Sequence, residues 1–362
     1  MAKPKDLKKR CHPKAKPKEL ERCTMWVADK WKDYEVLDCS AGEKLERWGK
    51  YTLLRPDPQV IWITEKKRPE WKNLNGHYHR SKSGGGEWEF HDLPKEWTVQ
   101  YELGAKSTDA QPATAFQNTR EHVILSEQSE SKDLSTYTLT FHLKPFAFKH
   151  TGLFPEQAVN WEWFYSLIRK AVREGRKVRV LNLFAYTGGA TLAAAAAGAE
   201  VTHVDASKGM VTWAKENAVS SGLGNAPIRW LVDDCVKFVE RELRRGKTYD
   251  AIIMDPPSYG RGPKGELWKI EESVFPLLQL CSQLLSEKPL FFLINSYTTG
   301  LQPAVLSYML HTAVLQPWKD RVSAGKDSEG AMMGKPFSDE IGLPVSCSGL
   351  ILPCGASGRS IF

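Results

Sequence analysis

The sequence predicts an α/β fold, a mostly parallel sheet covered by helices on both faces, with a small β domain in front of it. Three observations predict it. From Val178 onward short apolar runs alternate with helical patterns, the arrangement of a parallel sheet. Between Tyr34 and Tyr101 brief β-like runs are separated by Pro-Asp-Pro, Asn-Gly and Ser-Gly-Gly-Gly breaks. A 362-residue chain with 41% hydrophobic residues can bury a core of that size. No apolar run approaches the roughly 20 residues of a membrane-spanning helix.

Residues 1–33 read as a basic arm. The first 22 residues hold nine Lys or Arg against three acids, so most of the net charge of +7 sits there. With Pro4, Pro13, Pro17 and few apolar groups, the arm suits either a polyanion or plain solvation. Its Lys-rich, acid-containing composition lacks the Ser and Arg bias of a transit peptide. Seven cysteines form no CxxC pair, which predicts reduced thiols and a cytoplasmic protein. Cys11, His12 and Cys23 match no zinc spacing, so no metal is expected.

Residues 34–103 are expected to form the small antiparallel β domain. Trp48, Trp62, Trp71, Trp88 and Trp97 alternate there with Lys66, Lys67, Arg68, Lys72 and Arg80. Such rings can stack bases, or simply fill a small core. Residues 104–135, polar and acidic, read as a linker or insertion, and residues 136–362 as the α/β domain. In it, Thr136 to Leu143 alternates as a strand, and "HTGLFPEQ" leads into an amphipathic helix beginning near Glu156. Strands are expected at Val178 to Phe184, Glu200 to Asp205, Ile228 to Val232, Tyr249 to Asp255 and Leu290 to Asn295. The helices between them run from Gly189 to Ala197, from the Ser207 cap to Gly222, from Cys235 to Arg245 and from Glu271 to Ser286, with another from Pro303 to Val314.

Ligands of such sheets bind at the carboxyl ends of the strands. There the first strand carries "LNLFAYTGGATL", the second Asp205, the third Asp233 and Asp234, and the fourth "MDPPSYGRG". Glycine admits close backbone approach, and a strand-end carboxylate can accept both hydroxyls of a ribose. A dinucleotide would want G-x-G-x-x-G at the first turn. Tyr-Thr-Gly-Gly-Ala-Thr departs from that pattern and favours a nucleoside with no phosphate to cradle.

On "LNLFAYTGG", "THVDAS", "VDDC" and "MDPPSYGRG", in that order, the chain resembles the class I S-adenosylmethionine-dependent methyltransferases. The Tyr-Thr-Gly-Gly turn, the Asp-Pro-Pro motif and "HTGLFPEQ" resemble more narrowly the bacterial 23S rRNA methyltransferases acting on cytosine C5 or guanine. The resemblance covers about residues 140–362 and implies a Rossmann-like seven-stranded methyltransferase sheet closed by an antiparallel hairpin. It also implies S-adenosyl-L-methionine as cofactor. Phe184, Tyr186, Thr187, Gly188 and Gly189 would surround it, with the last three at its methionine part. Asp205 with Ala206 would hold the ribose, Asp234 or Asp233 the adenine amino group, and Cys235 the ring edge. Thr151, Phe154 and Gln157 would come from the loop that folds over the cofactor.

In that frame Asp255, Pro256 and Pro257 have a chemical task. A carboxylate and a carbonyl that accept the two N–H bonds of an exocyclic amine draw its lone pair out of conjugation, while an aromatic ring stacks on the base. Tyr259 is the candidate ring and Arg261 a phosphate contact. Two departures matter. Ser258 follows the prolines where amino methyltransferases usually place an aromatic residue, and neither Ser258 nor "INSYTTG" offers the cysteine that a C5 mechanism needs. The leading reading is therefore methylation of a ribosomal RNA base, with nitrogen ahead of C5. The alternatives are a protein or small-molecule acceptor, and a non-catalytic RNA-binding scaffold.

Overall fold

The computed structural model describes residues 25–81, 85–104, 136–145, 149–262, 265–323 and 334–362. The first 24 residues of the arm and residues 105–135 of the polar stretch lie outside the described residues. Along the chain the strands begin with β1 (Met25–Val27), β2 (Tyr34–Ser40), β3 (Glu43–Trp48), β4 (Tyr51–Pro56), β5 (Gly76–Arg80), β6 (Gly86–Phe90), β7 (Trp97–Leu103) and β8 (Tyr137–Leu143). The alternating half follows as α1 (Ala158–Arg173), β9 (Arg179–Leu183), α2 (Gly189–Ala196), β10 (Glu200–Asp205), α3 (Lys208–Ser220), β11 (Ile228–Val232), α4 (Cys235–Arg244) and β12 (Ala251–Met254). A short hairpin, β13 (Tyr259–Arg261) and β14 (Leu267–Lys269), precedes α5 (Ile270–Leu284) and β15 (Phe291–Ser296). The chain then runs through α6 (Pro303–Met309), a π-helical turn at Leu310–Leu315, α7 (Gln316–Ser323), β16 (Pro336–Pro344) and β17 (Ile351–Ile361).

The main sheet has the order β1-β16-β17-β15-β12-β9-β10-β11. Its seven strands β9–β12 and β15–β17 are those of the predicted methyltransferase sheet, with β17 antiparallel to both β15 and β16. Strand β1 adds an eighth, parallel to β16. It comes from the stretch read as basic arm, which is corrected here: Trp26 packs 5.8 Å from Phe337, and the Arg359 guanidinium lies 3.7 Å over the Trp26 ring. An aromatic pair and a cation–π contact give this segment a place that its charge pattern did not foretell.

The central strands are mostly apolar because helices cover both faces. Successive side chains of one strand point to opposite faces. Val180, Ile253 and Leu293 join one core with α1 and α2, and Leu181, Ile252 and Phe292 join the other with α4 and α5. The caps are local. The Ser207 hydroxyl accepts from the Met210 N–H at the start of α3, and an Asp234 oxygen accepts from the Lys237 N–H at 2.9 Å at the start of α4.

The front sheet, order β2-β3-β4-β5-β6, is mixed rather than purely antiparallel, because β4 and β5 run parallel over Leu53–Gly76 and Leu54–His77. The segment between them is long enough to return the chain to the same end. β7 and β8 pair with each other across the polar stretch, so an antiparallel ladder joins the two sides of that stretch. The tryptophans are mostly core. Trp48 and Trp97 are buried, and Trp71 donates its indole N–H to Asp38 at 2.9 Å, while Trp62 is exposed. Core filling accounts for most of the ring content of this sheet.

A buried charge cluster ties the front sheet to the rest. Glu46 on β3 accepts Arg55 Nε at 2.6 Å, Arg55 Nη2 at 2.8 Å and the Tyr34 hydroxyl at 2.6 Å, with Lys44 Nζ 3.4 Å away. Arg55 also donates to the Lys149 carbonyl at 2.9 Å, in the segment that leads into "HTGLFPEQ".

Candidate active site

The turn after β9 is a tight and strained piece of backbone. Phe184 and Tyr186 adopt φ of 54° and 49°, a left-handed conformation that side chains disfavour, and Gly188 follows at 91°. Interactions on every side hold the turn. Asp205 at the end of β10 accepts the Tyr186 N–H on one oxygen and the Ser207 N–H on the other, both at 2.8 Å. Burial pushes the Asp205 carboxyl up from its ordinary range, against the pull of those two N–H groups. The Thr187 hydroxyl donates to the Gly152 carbonyl at 2.6 Å, and Asn217 donates to the Thr187 carbonyl at 2.9 Å. Thr187 thus clasps the "HTGLFPEQ" loop onto the turn. A Cβ on Gly189 would stand 2.6 Å from the Trp161 ring, and one on Gly152 would collide with the Trp213 ring, so these two glycines serve close packing.

The clasped loop runs beside the turn. Phe154 lies 5.5 Å from the Tyr186 ring and 5.7 Å from the Tyr297 ring. Gln157 donates to the Tyr297 hydroxyl at 2.7 Å. Its oxygen accepts from Asn160 at 2.9 Å and Asn295 at 3.1 Å, a buried network that also includes Ser357 and Arg359. The buried Thr151 hydroxyl has no hydrogen-bond partner among the described residues. His150 is held neutral, its pKa lowered to about 4 by burial and by Arg55 and Lys149.

At the end of β12, Asp255 is half-buried and Pro256 buried, while Pro257, Ser258, Tyr259 and Arg261 are exposed. The Trp268 indole N–H donates to the Pro257 carbonyl at 2.6 Å, which stiffens the loop. Burial, reinforced by the nearby Glu156 charge, pushes the Asp255 carboxyl up to about 7. Glu156 is itself raised by burial, opposed by Lys44, its own backbone N–H, Tyr297 and Arg55.

These three segments open on one cavity of about 1160 Å³. Of the residues nominated by sequence, Phe154, Phe184, Tyr186, Asp205, Ala206, Asp255, Pro256, Pro257 and Arg261 line it. Thr151, Gln157, Thr187, Gly188, Gly189 and Cys235 are not among its lining residues. The Cys235 thiol accepts the Phe184 N–H at 3.4 Å and burial raises its pKa. Asp233 is not among the lining residues; one of its oxygens accepts the Asp234 N–H and the other pairs with Arg241. Asp234 caps α4 beside the loop at Gly262. Tyr259 is 59% exposed on β13, outside the cavity.

Sequence reasoning missed part of the wall. Glu156 and Tyr297 line the cavity, as do Lys44, Arg55 and Lys149 from the front-sheet side. Glu156 lay within a loop already singled out, and only its neighbours were nominated. Arg55 and Lys44 carried no signal, because only tertiary packing brings the front sheet over the carboxyl edge. Cys354 lines the cavity too, with its thiol donating to the Leu352 carbonyl at 3.4 Å and its pKa raised by burial, a neutral thiol and not a thiolate. The donor set suits a cationic nucleoside: carboxylates for hydroxyls and positive charge, and aromatic faces for a base.

The sequence pattern of a family described as S-adenosylmethionine-dependent methyltransferase matches residues 116–295. Ribosomal RNA large subunit methyltransferase K/L of Pseudoalteromonas translucida is 28% identical over 169 residues, 46% of this chain and 22% of that protein. The protein of the same name in Shewanella frigidimarina is 33% identical over 153 residues, 41% of this chain and 20% of its own. The chain thus spans about a fifth of the length of these curated relatives. A methyltransferase structure solved in complex with SAH shares the fold, at 17% identity and a TM-score of 0.54, covering 92% of this chain and 76% of that one. The crystal structure of the SAM-dependent methyltransferase from Agrobacterium tumefaciens is 32% identical, with a TM-score of 0.74 and 93% of each chain covered. With similarity along nearly its whole length to that enzyme, and with the seven-stranded sheet and its strand-end carboxylates in place, this chain belongs to the S-adenosylmethionine-dependent methyltransferases.

Proposed function

We propose that this protein methylates a base of ribosomal RNA, at nitrogen, within the cavity at the carboxyl edge of the sheet. The observation that carries the reading is the meeting of Asp205 and Asp255 in one cavity. Bound there, S-adenosylmethionine supplies a methyl group already activated by its sulfonium. The protein's task is then alignment and preparation of the acceptor. Asp205 and Ala206 would hold the ribose, Phe184 and Tyr186 the nucleoside faces, and Asp234 the adenine amino group. Thr187, Gly188, Gly189, Thr151 and Gln157 would shape the methionine end from behind, and Phe154 would cover it. Cys235 would close the ring edge.

Asp255 would accept an N–H of the target base, with Pro256 offering the carbonyl, since that of Pro257 is taken by Trp268. Tyr259 and Arg261, exposed beside the mouth, would meet the base and a phosphate as the RNA arrives. Nitrogen is favoured over C5 because Ser258 and the end of β15 carry no cysteine, and Cys354 is a neutral thiol. The division into residues 34–103 and 136–362 belongs to the same proposal, as do RNA as partner and the cytoplasm as compartment.

Incubation of the full chain with radiolabelled cofactor and total ribosomal RNA tests the reading. Label is expected in RNA, with affinity falling steeply as salt rises, because phosphate contacts release counterions. Label found only in protein or small molecules would overturn the substrate, and no label anywhere would favour a non-catalytic scaffold.

A further inference from the structure

Away from the cavity, the β5–β6 hairpin carries a cluster that methyl transfer does not use. His77 and His79 lie two apart on β5 and so share a face, and Glu89 stands opposite His77 in the register with β6. The two imidazole centroids are 3.8 Å apart, and His79 Nε2 lies 2.7 Å from a Glu89 oxygen. One donor atom from each of His77, His79 and Glu89 falls within 4.8 Å of the other two. We infer that His77, His79 and Glu89 form a binding site for a zinc-type dication that bridges the two strands of this hairpin.

Two imidazole nitrogens and one carboxylate oxygen are a donor set for first-row metals such as zinc, with a fourth position left for water or another ligand. His91 borders the group without joining it, its Nε2 3.0 Å from the second Glu89 oxygen. A carboxylate behind a ligating imidazole fixes its orientation and raises its basicity. Glu43 is placed to do this, 3.2 Å from His77 Nε2, with Nδ1 of that ring left to bind the ion. Zinc sits about 2.0–2.2 Å from such donors, so the side chains must draw together. His79 and Glu89, about half exposed, are free to do so.

The position explains what an ion would contribute. β6 is the edge of its sheet and exposed at four of its five residues, and β5 joins β4 over only two register pairs. The hairpin's apolar burial rests on Tyr78 and the Trp88 ring beside it, so the edge strand has little further packing restraint of its own. A metal bridging its strands would supply that restraint as binding free energy. The expectation of no metal rested on cysteine spacing. A His-x-His step with its carboxylate ten residues on becomes a cluster only once the hairpin pairs.

The test uses the full-length, untagged protein stripped with chelator and titrated with zinc chloride by calorimetry, with amide exchange followed in parallel. One ion per chain is expected at micromolar concentration or below, with slower exchange at Glu87, Trp88 and Glu89. His79→Ala and Glu89→Gln, both at exposed positions, should each weaken binding at least about tenfold. Circular dichroism and S-adenosylhomocysteine affinity should not change. Absence of zinc uptake in the micromolar range would overturn the inference. So would uptake that both substitutions leave unchanged, since the ion would then sit elsewhere, for instance on Cys11, His12 and Cys23.

Discussion

Asp255→Asn should lower the rate of methyl transfer to RNA by about 10²- to 10⁴-fold, the range that a positioned proton acceptor supplies, with S-adenosylhomocysteine affinity changed little. Asparagine keeps the shape and can still accept one hydrogen bond, but it cannot take up the proton that the acceptor nitrogen sheds. The pH profile carries a sharper expectation. Burial and the Glu156 charge raise the Asp255 carboxyl to about 7, so the reactive carboxylate form is lost as pH falls through that value. kcat/KM, which reports the free enzyme, should decline below about pH 7. A bound sulfonium favours the carboxylate, so the decline in kcat should lie at lower pH than that in kcat/KM. Because the two carboxyls interact, the titration belongs to the pair, and Glu156→Gln should move the kcat/KM inflection downward. A flat profile between pH 5 and 8, measured with saturating RNA and with limiting RNA, would remove Asp255 from the chemistry.

Glu46→Ala should destabilise the protein by about 3–5 kcal/mol, because it strands Arg55 and Lys44 without their shared anion in a buried site. Glu46 has no exposed surface, so the loss is not softened by water. Burial alone would raise its pKa, yet Arg55 and Lys44 hold it down at about 2. A carboxylate depressed in the folded state contributes stability above its unfolded pKa and loses that contribution as pH falls toward the folded one. Wild-type stability should therefore drop between about pH 4.5 and 2, and the drop should be shallower in the variant. Urea denaturation across that range measures both. Arg55 also holds the Lys149 carbonyl, so the variant should loosen the cavity wall and raise the KM for RNA as well.

What was legible in the sequence follows from what is local. β12 is buried on both faces and reads as an unbroken apolar run, as do the first four residues of β15, while β9 offers Val180 and Leu181 before Asn182 interrupts it. The caps of α3 and α4 are single side chains next to the backbone they satisfy. Asp205, Asp255 and the Gly188 turn could be nominated because strand ends of a parallel sheet converge on one edge. Long-range pairings were not legible. Nothing in Met25–Val27 announces a partner more than 300 residues away, and β7 and β8 find each other across an intervening polar stretch. The cationic side of the cavity escaped for the same reason, since Arg55 is a β-strand residue whose meaning depends on where its sheet docks. Tryptophan content left two uses open, base stacking and core filling, and packing takes most of the rings. Rings that could stack bases are consumed in packing, as Trp48 is between Tyr34 at 4.4 Å and the Arg55 guanidinium at 5.3 Å.

The central claim is that the carboxyl edge of the sheet, with Asp205 as its anchor, is where the cofactor binds. Calorimetric titration of S-adenosylhomocysteine into the wild-type protein and Asp205→Ala, each first shown to be folded, tests it most directly. Loss of charged hydrogen bonds predicts stoichiometric binding by the wild type and weakening by about 10- to 100-fold in the variant. Equal affinities in the two proteins would contradict it.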